Sequence, residues 1–169
     1  MASTVGGTSY GVARKVNLVS VRVLGCDARG SVSGILGGFD WVARNAQHPA
    51  VLLAAYAGEK TAAVNGAVEV VAGRGVLPVV PAGDFNADAC LVSPASASRA
   101  VTVGATNAYG EETSFSDSGE CLHQYAPAKT SSQLAAGGSG AVTLTLRRTA
   151  TGTTGTGEFT VHNNHEATP

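Results

Sequence analysis

The sequence predicts an α/β fold built on a parallel β-sheet, and three observations predict it. Apolar segments rich in β-branched residues indicate buried strands at Val16–Leu24, Val51–Ala57 and Val76–Val80. Helical periodicity separates these segments, so strands and helices alternate along the chain. Since parallel strands are joined by right-handed crossovers, we expect helices on both faces of the sheet.

The two helices are predicted from their apolar spacing and their ends. Ser31 is a suitable N-cap for a helix that continues through Val42, despite several glycines within it. The second helix is predicted over Ala62–Arg74, and Gly75 fits its C-terminal end. A fourth strand is predicted at Ala100–Ala105.

Composition argues against several classes of partner. Charged residues make up 14% of the chain and the net charge is -1, which gives no electrostatic basis for binding nucleic acid or an anionic membrane. No apolar run approaches the roughly 18 residues of a membrane span. The first residues contain no basic region and no apolar core, so no secretory signal is predicted in this chain.

The C-terminal part differs in composition from the rest. Residues 129–157 are mostly Thr, Gly, Ser and Ala, with few large apolar side chains. Val142–Leu146 and Phe159–Val161 can pair as a small β-hairpin, and a flexible tail is the alternative. We therefore divide the chain into a domain over residues 1–128 and a low-complexity tail or hairpin over residues 129–169.

Several motifs occur in the order and spacing of a known family. They are Tyr10–Val16, Val21–Leu24, Gly38–Val42, Asn86–Cys90 with Ser93–Ala95, Val101–Ala105, Ser114–Ser116 and Tyr125–Pro127. Together they resemble the subtilisin-like serine peptidases, nearest to the proteinase K and aqualysin branch, over residues 2–128. The resemblance implies a doubly wound parallel sheet that is incomplete here, and peptide-bond hydrolysis as the family activity.

The family's catalytic residues have no counterpart in these residues. The family's histidine motif reads His-Gly-Thr-His-Val-Ala, and Met1 stands where its valine would be. Its serine motif, Gly-Thr-Ser-Met-Ala-Thr-Pro, does not follow Ala128. Ala167–Pro169 shares only Ala-Thr-Pro with that motif, which would place His165 at the nucleophile position. The resemblance therefore implies no catalytic aspartate, histidine or serine, and an inactive chain.

Asp84 matches the position of the family's oxyanion-stabilising asparagine. Val79–Asp84 resembles the family sequence Val-Val-Ala-Ala-Gly-Asn, in which the amide donates to the tetrahedral intermediate. An ionised aspartate only accepts hydrogen bonds, so it would repel that negative charge. The alternative is that Asp84 holds the turn that follows it.

The resemblance also implies a remnant of the family's substrate cleft, in which two extended segments pair with a peptide backbone. The matching residues are Ala55, Tyr56, Ala57 and Gly58 in one segment, and Ala28, Arg29 and Gly30 in the other. Alanine replaces glycine at Ala57 and Ala28, which narrows the approach of a substrate backbone. Tyr56 is expected to add bulk to the cleft, and Arg29 to add charge.

The three cysteines have two interpretations. Cys90 and Cys121 lie where aqualysin-like relatives carry a bonded pair, and the family partner of Cys26 is not in this chain. The resemblance thus implies a Cys90–Cys121 disulfide with Cys26 unpaired. Three unpaired buried thiols are the alternative.

No metal and no other cofactor is predicted. The family holds calcium with carbonyl groups at the positions of Ser98 and Ala100 and with a carboxylate where this chain has His123. Because calcium prefers oxygen ligands, that site is not expected here. His162–Glu166 lacks the His-Glu-x-x-His order of zinc peptidases.

Three functional interpretations follow from the resemblance. The first is an inactive fragment or degenerate peptidase. The second is a peptide-binding pseudo-peptidase or regulatory module that uses the remnant cleft. The third is a hydrolase whose site is rearranged or completed by another chain. The expected partner is an extended peptide or protein, with self-association through exposed apolar surface, and the family implies secretion.

Overall fold

The computed structural model describes residues 2–6, 12–13, 15–127, 143–147 and 156–160. The chain divides into two compact units. The larger unit consists of Ser20–Ala105 and Ser114–Tyr125, and the smaller unit of Met1–Val19, Thr106–Thr113 and Ala126–Pro169. No helix of the described residues is long and apolar enough to cross a membrane.

The α-helices of the described residues are α1 (Ala2–Gly6), α2 (Val32–Asn45) and α3 (Ala62–Gly73). Helix α2 begins after Ser31, whose side chain accepts a hydrogen bond from the Gly34 N–H at 3.1 Å. Thr61 caps α3 in the same way. Both predicted helices are therefore confirmed, because their ends depend on local capping that the sequence displays.

The strands are β1 (Val51–Leu53), β2 (Gly58–Glu59), β3 (Leu77–Pro81), β4 (Val92–Ser93), β5 (Val101–Thr106) and β6 (Gln124–Pro127), followed by β7 (Thr143–Arg147) and β8 (Thr156–Thr160). The main sheet has the order β1-β3-β5-β6, and β3 pairs in parallel with both β1 and β5. A short antiparallel pair joins β2 to β4. This confirms the predicted α/β architecture with a parallel sheet.

The core of the larger unit lies between the helices and the sheet. Its fully or almost fully buried side chains include Val68 and Val71 of α3, Val80 of β3 and Phe39 of α2. Pro78 lies in β3, yet pairing with β5 begins only at Val79. The N–H that Pro78 lacks is therefore not required by the β5 ladder.

Val16–Leu24 is not a strand, so that prediction was wrong. The segment has no regular secondary structure, and Val16, Leu18 and Val19 are exposed. A strand needs a hydrogen-bonded neighbour about 4.8 Å away, and no strand of the described chain pairs with this segment. The predicted strand Val51–Ala57 is also shorter than expected, since β1 ends at Leu53.

Two paired strands of the C-terminal part lie close to the segments predicted to form a hairpin. Strands β7 and β8 pair in antiparallel fashion, with Leu144 opposite Phe159 and Thr145 opposite Glu158. The pairing agrees closely with the predicted segments Val142–Leu146 and Phe159–Val161. The domain boundary at residue 128 stays a prediction.

Candidate functional site

Asp84 lies in a pair of loops that are bonded side by side. These bridged loops, as we call them, are Gly83–Leu91 and Phe115–Cys121. Four main-chain hydrogen bonds join them: Asp117 N–H to Gly83 O, Asn86 N–H to Phe115 O, Ser118 N–H to Ala87 O and Ala89 N–H to Ser118 O, at 2.8–3.1 Å. The loops are thus held in a fixed register even though neither is a strand.

A disulfide closes the far end of the bridged loops. Cys90 and Cys121 are bonded, with their Cα atoms 5.2 Å apart, so the implied pairing is confirmed. Cys26 is free and exposed, and its Sγ accepts a hydrogen bond from the Arg22 guanidinium at 3.3 Å. The alternative of three unpaired buried thiols is therefore wrong.

Asp117 is the buried carboxylate that shapes the turn after Asp84. Its side chain is fully buried, and its Oδ1 accepts from the Phe85 N–H at 2.8 Å and from the Ala87 N–H at 2.9 Å. Its Oδ2 has no hydrogen-bond partner. Gly83 has φ +122°, and a Cβ there would collide with this carboxylate. Only glycine fits at position 83 without displacing Asp117.

Asp84 itself is exposed, and its carboxylate makes no hydrogen bond within the described part of the chain. The interpretation that Asp84 holds the following turn is therefore wrong, since Asp117 does so. No sequence pattern indicates this role, because Asp117 lies about 30 residues from the two N–H groups that donate to it.

The segment Ala55–Gly58 keeps part of its main chain unpaired. Ala54 N–H donates to Val79 O at 3.1 Å, and Gly58 pairs with Ser93. Between them, no main-chain hydrogen bond from Ala55–Ala57 to any described residue is present. The stretch therefore has main-chain donors and acceptors without a main-chain partner among the described residues.

Tyr56 does not add bulk to the cleft in the expected way. Its ring lies 6.3 Å from that of Phe39, measured between centroids, and it packs against the core of the larger unit. Its hydroxyl is buried without a hydrogen-bond partner, and burial raises the pKa of this phenol well above its usual value. The side chain therefore fills the core side of the segment.

The segment Ala28–Gly30 forms a tight exposed turn. Ala28 adopts φ 58°, which is uncommon for a residue other than glycine. Gly25 N–H donates to Arg29 O at 2.7 Å, and Arg29 N–H donates to Asp27 Oδ1 at 3.2 Å. A Cβ at Gly30 would lie 2.5 Å from Val23 O. In the described structure no hydrogen bond connects this turn to Ala55–Gly58.

The two described histidines, His48 and His123, lie against other parts of the described chain. His123 Nδ1 accepts the Thr102 N–H at 3.2 Å, while His123 N–H donates to Thr102 O at 3.0 Å. The ring of His48 lies beside the Gly75 turn. His162 and His165 lie outside the described residues. Among the residues that the structure describes, no cluster of His, Cys, Asp and Glu is arranged as a metal site.

The chain is similar to known proteins over most of its length. A family model described as "Subtilase family" matches residues 1–166, which includes the C-terminal part that the motifs left without a counterpart. The chain is 46% identical over 127 residues to alkaline serine exoprotease A of Vibrio alginolyticus. It is 45% identical over 130 residues to the extracellular serine proteinase of Thermus sp. strain Rt41A.

These matches cover most of this chain and a minor part of its relatives. They span 75% of the chain but 24% of the Vibrio protein, and 77% of the chain but 32% of the Thermus protein. A crystal structure of a cold adapted subtilisin-like serine proteinase matches with a TM-score of 0.72 and 44% identity, over 74% of this chain and 46% of that one. The match confirms the subtilisin-like fold.

Proposed function

Because the chain belongs to the subtilase family of serine peptidases, we propose that it forms part of that family's peptide-binding site and does not hydrolyse peptide bonds by itself. The observation that carries the proposal is the absence of both the His-Gly-Thr-His and the Gly-Thr-Ser-Met motifs from its 169 residues. Acyl transfer by a serine peptidase needs a hydroxyl nucleophile within reach of a base. In the described residues, His123 uses its Nδ1 to accept a main-chain N–H instead.

The chemistry of Asp84 supports the same proposal. A tetrahedral intermediate places negative charge on the former carbonyl oxygen, and donors about 2.7–3.1 Å away stabilise it. The Asp84 carboxylate is exposed and, when ionised, offers no donor. A group at this position therefore favours binding of positive charge over stabilisation of an oxyanion.

The free main chain of Ala55–Ala57 supports peptide binding. Its unpaired groups lie between the end of β1 and the start of β2, so an extended peptide can align with it as an added strand. Gly58 has nothing within 4 Å of the position a Cβ would occupy. Space therefore remains next to this segment for another backbone.

The proposal is tested with a peptidase assay and an active-site probe. We expect no release of the anilide from a succinyl-Ala-Ala-Pro-Phe substrate above the buffer rate, and no labelling by a serine-directed fluorophosphonate. Asp84→Asn restores the family's amide donor, and we expect the variant to be equally inactive because it still lacks nucleophile and base. Turnover that the fluorophosphonate blocks would refute the proposal, and the labelled residue would identify the nucleophile.

Secretion is part of the same proposal. The Thermus relative is named an extracellular proteinase, and the Cys90–Cys121 disulfide suits an oxidising compartment. We expect the native protein to carry one thiol that reacts with a maleimide without reduction, and three after reduction in denaturant. Three reactive thiols in the native protein would point to a reducing compartment.

A further inference from the structure

The bridged loops present large apolar side chains to solvent. Phe85 and Leu91 are each 64% exposed, and Phe115 is 39% exposed. Phe85 and Phe115 lie on neighbouring parts of the two loops, since Asn86 N–H donates to Phe115 O at 3.0 Å. The hydrogen bonds and the disulfide fix the backbone that carries them. Large apolar side chains that are exposed next to one another are typical of an interaction site.

The same loops carry an unbalanced negative charge. Asp84, Asp88 and Glu120 are exposed, and Asp117 adds a buried carboxylate. The two loops contain no Lys or Arg. None of these four carboxylates forms an ion pair with a residue that the structure describes. Their potentials therefore add, and the surface attracts cations.

We propose that the bridged loops bind an extended cationic peptide segment in which lysine or arginine residues flank a large apolar side chain. The apolar side chain packs on Phe85 and Phe115, and a neighbouring cation lies against Asp84. This inference rests on the proposed function, because Asp84 belongs to the same candidate peptide site. It adds the chemical class of the peptide.

The negative charge of the bridged loops favours a cationic peptide over other ligands. A phosphate backbone or an anionic membrane would be repelled by Asp84, Asp88 and Glu120. An uncharged apolar peptide would gain no attraction from these carboxylates. A cation next to an exposed phenyl ring gains from the ring quadrupole as well as from the carboxylates, so a peptide that combines both groups uses the whole surface.

The test measures binding by fluorescence anisotropy, with two end-blocked, fluorescein-labelled peptides. Lysine alternates with leucine in one, and glutamate alternates with leucine in the other. We expect the lysine peptide alone to bind, and its affinity to fall when NaCl rises from about 50 mM to about 500 mM, which shortens the screening length. Equal binding of both peptides, or of neither, overturns the inference.

Variants locate the site. Phe85→Ser should weaken binding of the lysine peptide by roughly tenfold, as expected for a central apolar contact. Asp84→Asn should weaken it by roughly threefold and reduce the salt dependence, as expected for an exposed charge. The matched controls are Tyr109→Ser, at a side chain 89% exposed and outside the loops, and Glu112→Gln, an exposed acid elsewhere. Unchanged affinity in the loop variants, or an equal loss of affinity in the controls, would refute the assignment.

Failure of the inference and failure of the proposed function give different results. Salt-independent binding of both peptides would remove the inference and leave a peptide-binding chain. Cleavage of the lysine peptide, seen by mass spectrometry, would remove the proposed inactivity and leave the charge preference standing. A second copy of this chain is the remaining candidate occupant, and sedimentation velocity of the free protein tests for it. Self-association that Phe85→Ser abolishes, without peptide binding, would assign the surface to a second copy and overturn the inference.

Discussion

The bridged loops and the segment Val16–Gly30 differ in what fixes their conformation. The segment begins with an apolar, β-branched sequence that is typical of a strand, yet it has no strand partner among the described residues. The bridged loops have almost no regular structure beyond a short 3₁₀ turn at Ala89–Leu91. They are nevertheless joined by main-chain hydrogen bonds, a buried carboxylate and a disulfide. Long-range bonds, rather than local pattern, fix the region that contains the candidate site.

The largest expected effect comes from the cysteines, which occur in both regions. Replacing Cys90 and Cys121 by Ala opens a link across 31 positions, which should lower the free energy of unfolding by about 3.5 kcal/mol through the added entropy of the unfolded chain. Cys26→Ser, at an exposed free thiol, should change it by less than about 0.5 kcal/mol. Urea unfolding measures both. Equal effects would show that the loops do not depend on their disulfide.

A second pair of variants compares one carboxylate from each region. Asp117→Ala removes the acceptor of two N–H groups and should cost about 3 kcal/mol of unfolding free energy, since hydrogen bonds to a charged group are worth about 1.5–3 kcal/mol each. Asp27→Ala removes one hydrogen bond to Arg29 N–H in an exposed turn and should cost less than about 0.5 kcal/mol.

Asp117→Asn sharpens the second comparison. The asparagine keeps an acceptor at Oδ1, so its unfolding free energy in urea should lie between those of the wild type and Asp117→Ala. An asparagine variant as unstable as the alanine variant would mean that the charge, rather than the acceptor, holds the turn. If all three proteins were equally stable, Asp117 would have no part in fixing the bridged loops.

The same contrast explains how far the sequence predicts the structure. The helices α2 and α3 were predicted nearly in full, because Ser31 and Gly75 mark their ends locally. The strand over Val16–Leu24 failed, because pairing depends on a neighbour that the segment does not itself encode. The Cys90–Cys121 bond followed from the resemblance. The role of Asp117 was missed, because its partners are distant in the sequence and no periodicity connects them.

Tyr56 shows the same kind of failure at the candidate site. The family resemblance implies that Tyr56 lies in the remnant cleft, but the resemblance does not determine to which side of an irregular segment the ring turns. The structure places the ring against Phe39 and leaves the hydroxyl buried without a partner. The buried Oδ2 of Asp117 also has no partner, but its Oδ1 accepts two hydrogen bonds. Removal of the buried polar group is therefore expected to raise the free energy of unfolding at Tyr56 and to lower it at Asp117.

The smallest expected effect tests that difference. Tyr56→Phe removes an unsatisfied buried hydroxyl and should raise the free energy of unfolding by about 1 kcal/mol at pH 8, the low end of the cost of such a group. Asp117→Ala should lower it. A destabilised phenylalanine variant would show instead that the hydroxyl is hydrogen-bonded in solution.

The pH dependence of Tyr56→Phe gives an independent reading of the same burial. Burial raises the pKa of Tyr56 in the folded protein, so the folded state retains the phenolic proton that the unfolded state loses above its usual pKa of about 10. The unfolded state then binds fewer protons than the folded state, and stability falls as pH rises through this range. The phenylalanine variant does not lose stability in this way. The difference between its free energy of unfolding and that of the wild type should therefore increase between about pH 9 and pH 11. Urea unfolding at matched ionic strength measures the difference at each pH. A constant difference would mean that the Tyr56 hydroxyl titrates equally in both states, and hence that it reaches solvent beside the unpaired main chain of Ala55–Ala57.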